Sequence, residues 1–386
     1  MTSGSRARAP GTKLPKVGTT IFTVMSALAL EHDAVNLGQG FPDFDCDPAL
    51  IDAVADAMRA GHNQYPPMPG VAALRTGIAD KIEAVHGHRY DPEHEITVTA
   101  GATQAIFTAV HAVVRRGDEV IVIEPVYDSY IPSIELAGGT AVIVPMDADF
   151  RIDWPAVRAA CTTRTRAIIV NSPHNPSGTA FDESDLHELA AIAGTHDLIV
   201  ISDEVYEHMV FDARVHQSAS RHPALATRSF VVSSFGKTFH VTGWKLGYCV
   251  APAPLMAEFR KVHQFNVFTA HAPTQVGLAS YLAASQAWRD VAGFYQRKRD
   301  RFRAGLAQTR FRLLACEGTF FQLVDYRAIS HQGEADFARW LTSEVGVAAI
   351  PLSAFREDGR DSGIVRFCFA KTDATLDRAL ERLAGI

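Results

Sequence analysis

A lysine that does covalent chemistry needs a site dry enough to lower the proton affinity of its amine. Lys237 stands in the run SSFGKTF, directly after the apolar strand candidate Ser229 to Ser233, with Ser, Gly and Phe neighbours that partly desolvate it. Schiff-base chemistry is open to it there; the ordinary alternative is a solvated loop lysine. The GKT triplet also suggests a phosphate-binding P-loop, but that motif requires glycine where Val231 stands, so the nucleotide reading fails.

Asp203 follows the apolar run Leu198 to Ile201, where an ionised carboxylate is costly unless it meets a cation. A protonated ring nitrogen, a metal ion or an internal ion pair would each serve. Tyr206, one helical turn further on, can reach the same ligand. Asn175 lies in the stiff loop SPHNPSG, and its amide can either donate to a phenolic oxygen or satisfy its own turn. The turn AGATQA opens a helix, so the backbone N–H groups of Ala102, Thr103 and Gln104 face whatever occupies the helix start, a natural phosphate site. Ser234 and Lys245 flank Lys237 and add a hydroxyl and a second cation. Arg366, in the strand candidate IVRFCFA, needs a planar anion, either a substrate α-carboxylate or a structural partner. Taken together, these groups suit pyridoxal 5′-phosphate (PLP), whose ring acts as an electron sink when an acid keeps its nitrogen protonated.

The elements that must position these residues alternate between β-branched runs and stretches of helical period. That alternation predicts an α/β fold with a mostly parallel sheet sandwiched by helices. Strands are expected at Ile96 to Thr99, Val120 to Ile123, Ala167 to Val170, Leu198 to Ile201, Phe230 to Ser233 and Leu246 to Val250. The first two, with a helix from about Thr103 to Val114, read as one βαβ unit. The polar residues of interest fall just past strand carboxyl ends, where ligands bind in open α/β sheets. From roughly 255 to 310 the pattern is helical, and strand candidates at Phe320 to Val324 and Val365 to Phe369 predict a smaller α+β domain. We expect residues 47–285 to form the large domain, and 1–46 with 286–386 to form an N-terminal arm and the small domain.

With 386 residues, of which 47% are hydrophobic, the chain is long enough for two such domains. Its formal net charge of -6 arises from 43 acidic and 37 basic residues with no long block of either sign, so nucleic acid is not an expected partner. The five cysteines, Cys46, Cys161, Cys249, Cys316 and Cys368, form no C-x-x-C pair. That argues against a disulfide framework and a zinc site and fits a cytoplasmic location without a metal. The first residues, MTSGSRARAPGTKLPK, lack the apolar core of a signal peptide and read as a mobile arm, and no membrane span is expected.

Six ordered strings give the sequence a family likeness across nearly its whole length: NLGQGFPDF, NQYPPMPG, NSPHNPSG, SDEVYEH, SSFGKTFHVTGWKLGY and IVRFCFAK. They resemble the class I and II, fold type I, PLP-dependent aminotransferases, in particular the branch of methionine aminotransferases and kynurenine aminotransferase/glutamine transaminase K. The resemblance implies that Lys237 carries PLP as a Schiff base, Asp203 binds the pyridinium, Asn175 and Tyr206 donate to the ring hydroxyl oxygen, and Tyr127 stacks on the ring. It further implies that Gly40 and Arg366 receive the substrate carboxylate. Tyr65 would reach the phosphate of a neighbouring subunit, making the protein a homodimer with shared active sites. Two departures stand out: Lys245 replaces the usual arginine, a point charge instead of a fork, and VHQFNVFTAHAPTQ is longer than in the kynurenine branch.

Amino acid and 2-oxo acid substrates follow from that likeness. The segments expected near the substrate side chain offer Phe22, Tyr65 and Phe268 and no arginine, which predicts an apolar or aromatic amino donor. A C–S β-lyase is the nearest rival, since the same lysine could abstract the same proton. A non-catalytic PLP-binding regulator would need an appended DNA-binding domain, for which the residues before Phe22 leave no room.

Overall fold

The computed structural model describes residues 11–386; the start of the expected N-terminal arm, residues 1–10, lies outside the described residues. After the helix Ile21–Glu31 comes a two-residue strand, β1 (Val35–Asn36). Seven strands then build the main sheet: β2 (Ile96–Thr99), β3 (Glu119–Glu124), β4 (Thr140–Pro145), β5 (Thr165–Asn171), β6 (Ile199–Asp203), β7 (Ser229–Ser234) and β8 (Gly247–Val250). Their order across the sheet is β2-β8-β7-β6-β5-β3-β4. β4, β3, β5, β6 and β7 run parallel to one another, while β8 is antiparallel to both β7 and β2.

Every residue of β3, β6 and β7 is buried, the pattern of a sheet covered on both faces. Alternate residues serve opposite cores: Ile121 and Ile123 join one apolar cluster, Val120 and Val122 the other. The expected βαβ unit is corrected here. β2 and β3 point the same way, but β8, β7, β6 and β5 lie between them. β4 was not anticipated, because as an edge strand it is only partly buried and follows the pair Gly138-Gly139.

Register brings the ends of these strands level. Asn171 pairs with Asp203 across β5 and β6, and Gly247 at the start of β8 faces both Ser234 and Thr99. The catalytic candidates therefore occupy one rim of the sheet. Asp203 closes β6 itself, two residues beyond the expected strand end.

The helical tract after Pro252 resolves into three helices, Ala253–Asn266, Ala272–Ala284 and Val291–Leu306. Five further strands follow: β9 (Arg312–Leu313), β10 (Phe321–Asp325), β11 (Val347–Ala348), β12 (Ile350–Pro351) and β13 (Ile364–Cys368). Four of them form an antiparallel sheet ordered β12-β13-β10-β9, and β11 pairs in parallel with β1. A third apolar cluster underlies this small sheet and includes Tyr206, Met209 and Phe211 from beyond β6, so the two sheets meet at the rim. No helix among the described residues is long and apolar enough to cross a membrane.

One helix crossing in the large sheet's cover depends on a missing side chain. A methyl group on Gly277 would stand 2.7 Å from the Val54 nitrogen and 2.8 Å from its Cα, on the helix Pro48–Arg59. Backbone cannot yield as a flexible side chain can. Gly277→Ala is expected to destabilise the fold by about 1–3 kcal/mol, measured by urea unfolding.

Candidate active site

The rim opens into a cavity of about 300 Å³ between the two sheets. Lys237 enters it from the short helix Phe235–Thr238, which continues directly from β7. Its Nζ donates to the Gly40 carbonyl at 3.1 Å and lies 5.3 Å from the Phe320 ring centre and 5.8 Å from that of Tyr206. Burial, reinforced by Lys245 and Arg366, pulls the amine down to about 8. A much larger share is then in the nucleophilic neutral form than for an exposed lysine.

Asp203 is buried, and burial pushes its carboxyl up to about 6. Two donors oppose that rise: the Tyr130 hydroxyl on Oδ2, and the Val205 amide on Oδ1 at 3.2 Å. Asn175 is held through its backbone N–H, which donates to Asn171 Oδ1 at 2.8 Å. Its side-chain Oδ1 accepts from Arg366 Nη1 at 2.7 Å, and the side chain lines the cavity with its NH₂ end free of that bond. Tyr206 and Tyr127 both line the space, and burial raises Tyr127 to about 12 and Tyr206 well above the usual tyrosine range. Both hydroxyls stay protonated at neutral pH.

Arg366 projects from β13 and is 1% exposed. Nη2 donates to the Gly38 carbonyl at 3.0 Å, and the guanidinium lies 3.8 Å from the Phe321 ring centre, with Phe355 and Phe22 at 4.9 and 5.4 Å. Burial lowers it to about 10, still cationic at neutral pH. Gly40 cannot carry a side chain here, because a Cβ would meet Phe321 at 2.8 Å.

At the other end of the cavity, the helix Ala102–Val113 begins at Gly101, whose φ of 81° favours glycine and which offers no side-chain cap. Ala102, Thr103, Ser234 and Lys245 line this end, and the Lys245 Nζ is 3.4 Å from where a Gly101 Cβ would stand. An uncapped helix start beside a cation is an anion site.

Three expected residues are placed differently in the chain. Gln104 does not line the cavity: its Oε1 accepts from the Ala100 N–H at 3.0 Å and its Nε2 donates to Thr108 at 2.7 Å, so the side chain braces the turn. Tyr65 is 85% exposed and packs edge-to-face on Phe268, with ring centres 5.5 Å apart. Neither belongs to the cavity of its own chain, because the loops that carry them run along the surface. Sequence reasoning passed over Tyr130, Asn171, Gln39, Thr242 and Phe321. Of these, Asn171, Gln39 and Thr242 had a signal, since they belong to NSPHNPSG, NLGQGFPDF and SSFGKTFHVTGWKLGY, the strings that supplied Asn175, Gly40 and Lys237, and Tyr130 lies three residues beyond Tyr127.

PLP fits these donors on grounds internal to the structure. Arg366 Nε is buried without a protein partner, the Gly101 helix start is uncapped, and Asp203 is a buried acid aimed into a cavity with a lysine of lowered pKa. Asp203, Lys237 and the Gly101 turn would hold ring nitrogen, carbonyl carbon and phosphate respectively. The α/β architecture with such a site defines a PLP-dependent enzyme of fold type I. More narrowly, the chain belongs to the family of class I and II aminotransferases, which it matches over residues 32–383, and it is a PLP-dependent aminotransferase. It is 51% identical to a methionine aminotransferase of Escherichia coli (strain K12), over 97% of each chain. It is also 43% identical to a probable N-succinyldiaminopimelate aminotransferase of Mycobacterium tuberculosis, covering 96% of this chain and 97% of the other. A solved Escherichia coli structure described as having a methionine aminotransferase function superposes with a TM-score of 0.97 at 49% identity, over 98% of this chain and 100% of that one.

A buried lysine with a lowered pKa opposes folding. Its charged form is penalised in full below the folded value of about 8, and the penalty fades as pH climbs toward the ordinary lysine value. Lys237→Met should therefore stabilise the cofactor-free protein at pH 7. That advantage should shrink between pH 8 and 10, as read from urea unfolding across that range.

Proposed function

We propose that the enzyme moves the α-amino group of an unbranched apolar or aromatic amino acid, such as methionine, phenylalanine or kynurenine, to a 2-oxo acid. The carrying observation is the distribution of charge. Three cations line the cavity, Lys237, Lys245 and Arg366. Lys245 lies at the phosphate end, Lys237 is the covalent anchor, and Arg366 is, among the described residues, the only lining fork for an α-carboxylate. No second arginine lines the space to neutralise a side-chain carboxylate, and the faces around Arg366 are Phe22, Phe321 and Phe355. An unpaired carboxylate there would lose several kcal/mol on desolvation, whereas a thioether or phenyl group gains about 1.5–3 kcal/mol.

In this reading PLP supplies an electron sink for charge developing at the substrate Cα. The protein residues do the rest. Lys237 would hold the cofactor's carbonyl carbon and, with its amine free, would take the proton from the substrate Cα and give it back, as base and then acid. Asp203 would keep a proton on the ring nitrogen, and the NH₂ of Asn175 and the Tyr206 hydroxyl would donate to the ring oxygen. Tyr127, which lines the cavity, would stack on the ring. Ala102, Thr103, Gln104 by its main-chain N–H, Ser234 and Lys245 would hold the phosphate, while Gly40 and Arg366 would receive the substrate carboxylate. We further propose a homodimer, in which the exposed Tyr65 reaches the neighbouring subunit's phosphate and Phe268 borders its substrate space.

Two measurements test this reading. Asp203→Asn should still bind PLP yet lose transamination by at least ~10²-fold, because an amide cannot pair as an anion with a protonated ring nitrogen; unchanged turnover would move that role elsewhere. Across methionine, phenylalanine, kynurenine, N-succinyldiaminopimelate and aspartate with one common acceptor, kcat/KM should be highest for an apolar or aromatic donor. Aspartate or N-succinyldiaminopimelate ranking first would overturn the substrate assignment and leave the aminotransferase chemistry intact.

A further inference from the structure

Asp203 is gripped from one side by a residue that lies outside the cavity lining. Tyr130 opens the helix Tyr130–Ala137, is 3% exposed, and donates its hydroxyl to Asp203 Oδ2 across a sequence separation of 73 residues. Its ring also packs edge-to-face on Tyr127, with centres 5.7 Å apart. With the Val205 N–H on Oδ1, the carboxylate has a donor on each oxygen and cannot rotate without breaking one of them.

From this geometry we infer that Tyr130 is a positioning residue: its hydroxyl fixes the orientation of Asp203 and keeps the carboxylate ionised, so that the shared proton resides on the cofactor ring nitrogen. The inference rests on the pairing of Asp203 with that nitrogen proposed above. An ionised carboxylate beside a protonated ring and a neutral acid beside an unprotonated ring contain the same atoms; they differ only in which heavy atom holds the proton. A hydrogen bond to the carboxylate favours the first arrangement.

The surroundings of Asp203 make this contribution necessary. Burial alone drives the carboxyl toward neutrality, and neighbouring Glu204 pushes the same way. Lys237, from the helix after β7, opposes them. Tyr206, from the turn after Asp203, and Tyr127 also face it but carry no charge at neutral pH. Tyr130 is the strongest of the groups that resist neutralisation. Burial and the adjacent Asp203 push its own proton affinity well above the tyrosine range, so it remains a donor throughout the working pH range.

The test follows the proton directly, by the ¹⁵N NMR shift of ring-labelled PLP bound to the holoenzyme at pH 7.5. In Tyr130→Phe the resonance should move toward the unprotonated position, with kcat falling about 10-fold and KM changed less than about 2-fold, the size expected for losing one charge-assisted hydrogen bond. Replacing Tyr130 by 3-fluorotyrosine keeps the shape of the side chain and strengthens the donor, so the resonance should move the opposite way, toward the protonated position. Tyr90→Phe removes another buried hydroxyl, one that meets Ser220 at 3.1 Å, and should leave the resonance where it is. Opposite displacements for the phenylalanine and fluorotyrosine proteins support the role. A resonance unmoved in the fluorotyrosine protein, or moved equally by Tyr90→Phe, overturns it. If the ring nitrogen is unprotonated in the wild-type holoenzyme and Asp203→Asn leaves its resonance unchanged, the pairing of Asp203 with that nitrogen fails instead.

Discussion

Charge balance in a dry space governs this molecule. Lys237, Lys245 and Arg366 converge on one cavity with Asp203 as the only acid among its described lining residues; Lys245 keeps contact with solvent and Lys237 is half-buried, but Arg366 is fully buried, and a buried cation without an anion is strongly unfavourable. In the proposed reading a phosphate at the Gly101 turn and a carboxylate at Arg366 would supply the counter-charges. On that reading the fold carries an excess of positive charge that two anionic groups would balance. The lowered proton affinity of Lys237 comes from the same source, since burial and like charge act together on it.

Holding such groups in place demands a stiff rim, and the opposite face of the sheet supplies it. Lys81, on the helix Ala72–His86, donates to Glu207 and to the Tyr248 hydroxyl, both at 2.7 Å, and Tyr248 donates to Glu207 at 2.8 Å. Ser233 donates to the same carboxylate. Although burial alone would raise Glu207, Lys81 holds it well below the usual carboxylate range. Each anchored residue is next in sequence to one facing the cavity or pairing at its rim: Glu207 to Tyr206, Ser233 to Ser234, Tyr248 to Gly247. Glu204, the neighbour of Asp203, is fixed in the same way by His216 at 2.9 Å, the Ala219 N–H at 2.9 Å and Ser202 at 2.8 Å.

What could be read without coordinates follows a physical rule. Lys237, Asp203 and Asn175 were legible because each ends or follows an apolar run, so local sequence reports both burial and a chemically costly group. Arg366 was legible by the same contrast within β13. The parallel sheet was legible from its β-branched runs, but the order of its strands was not: nothing local states that four strands separate β2 from β3. Side-chain direction was equally hidden. Gln104 belongs to the right turn yet spends its amide on Ala100 and Thr108, and the contact of Tyr130 with Asp203 exists only because separate strands end at the same level. Tyr65 and Phe268 belong to surface loops, whose paths no periodicity encodes.

The pairing of β1 with β11 ties the start of the described chain to its last third. The segment so tethered carries Phe22, which packs on Phe355, as well as Gly38 and Phe41, whose carbonyls accept from Arg366 and Lys371. Phe22, Phe355 and Arg366, the proposed apolar wall and carboxylate fork, thereby lie on one side of the cavity, across from the main sheet and Lys237. On the proposed roles, the two halves of substrate recognition would move together. Any shift of the small sheet carries grip and selectivity together, so changes remote from the chemistry, at Val35 or Val347 for instance, reach both at once.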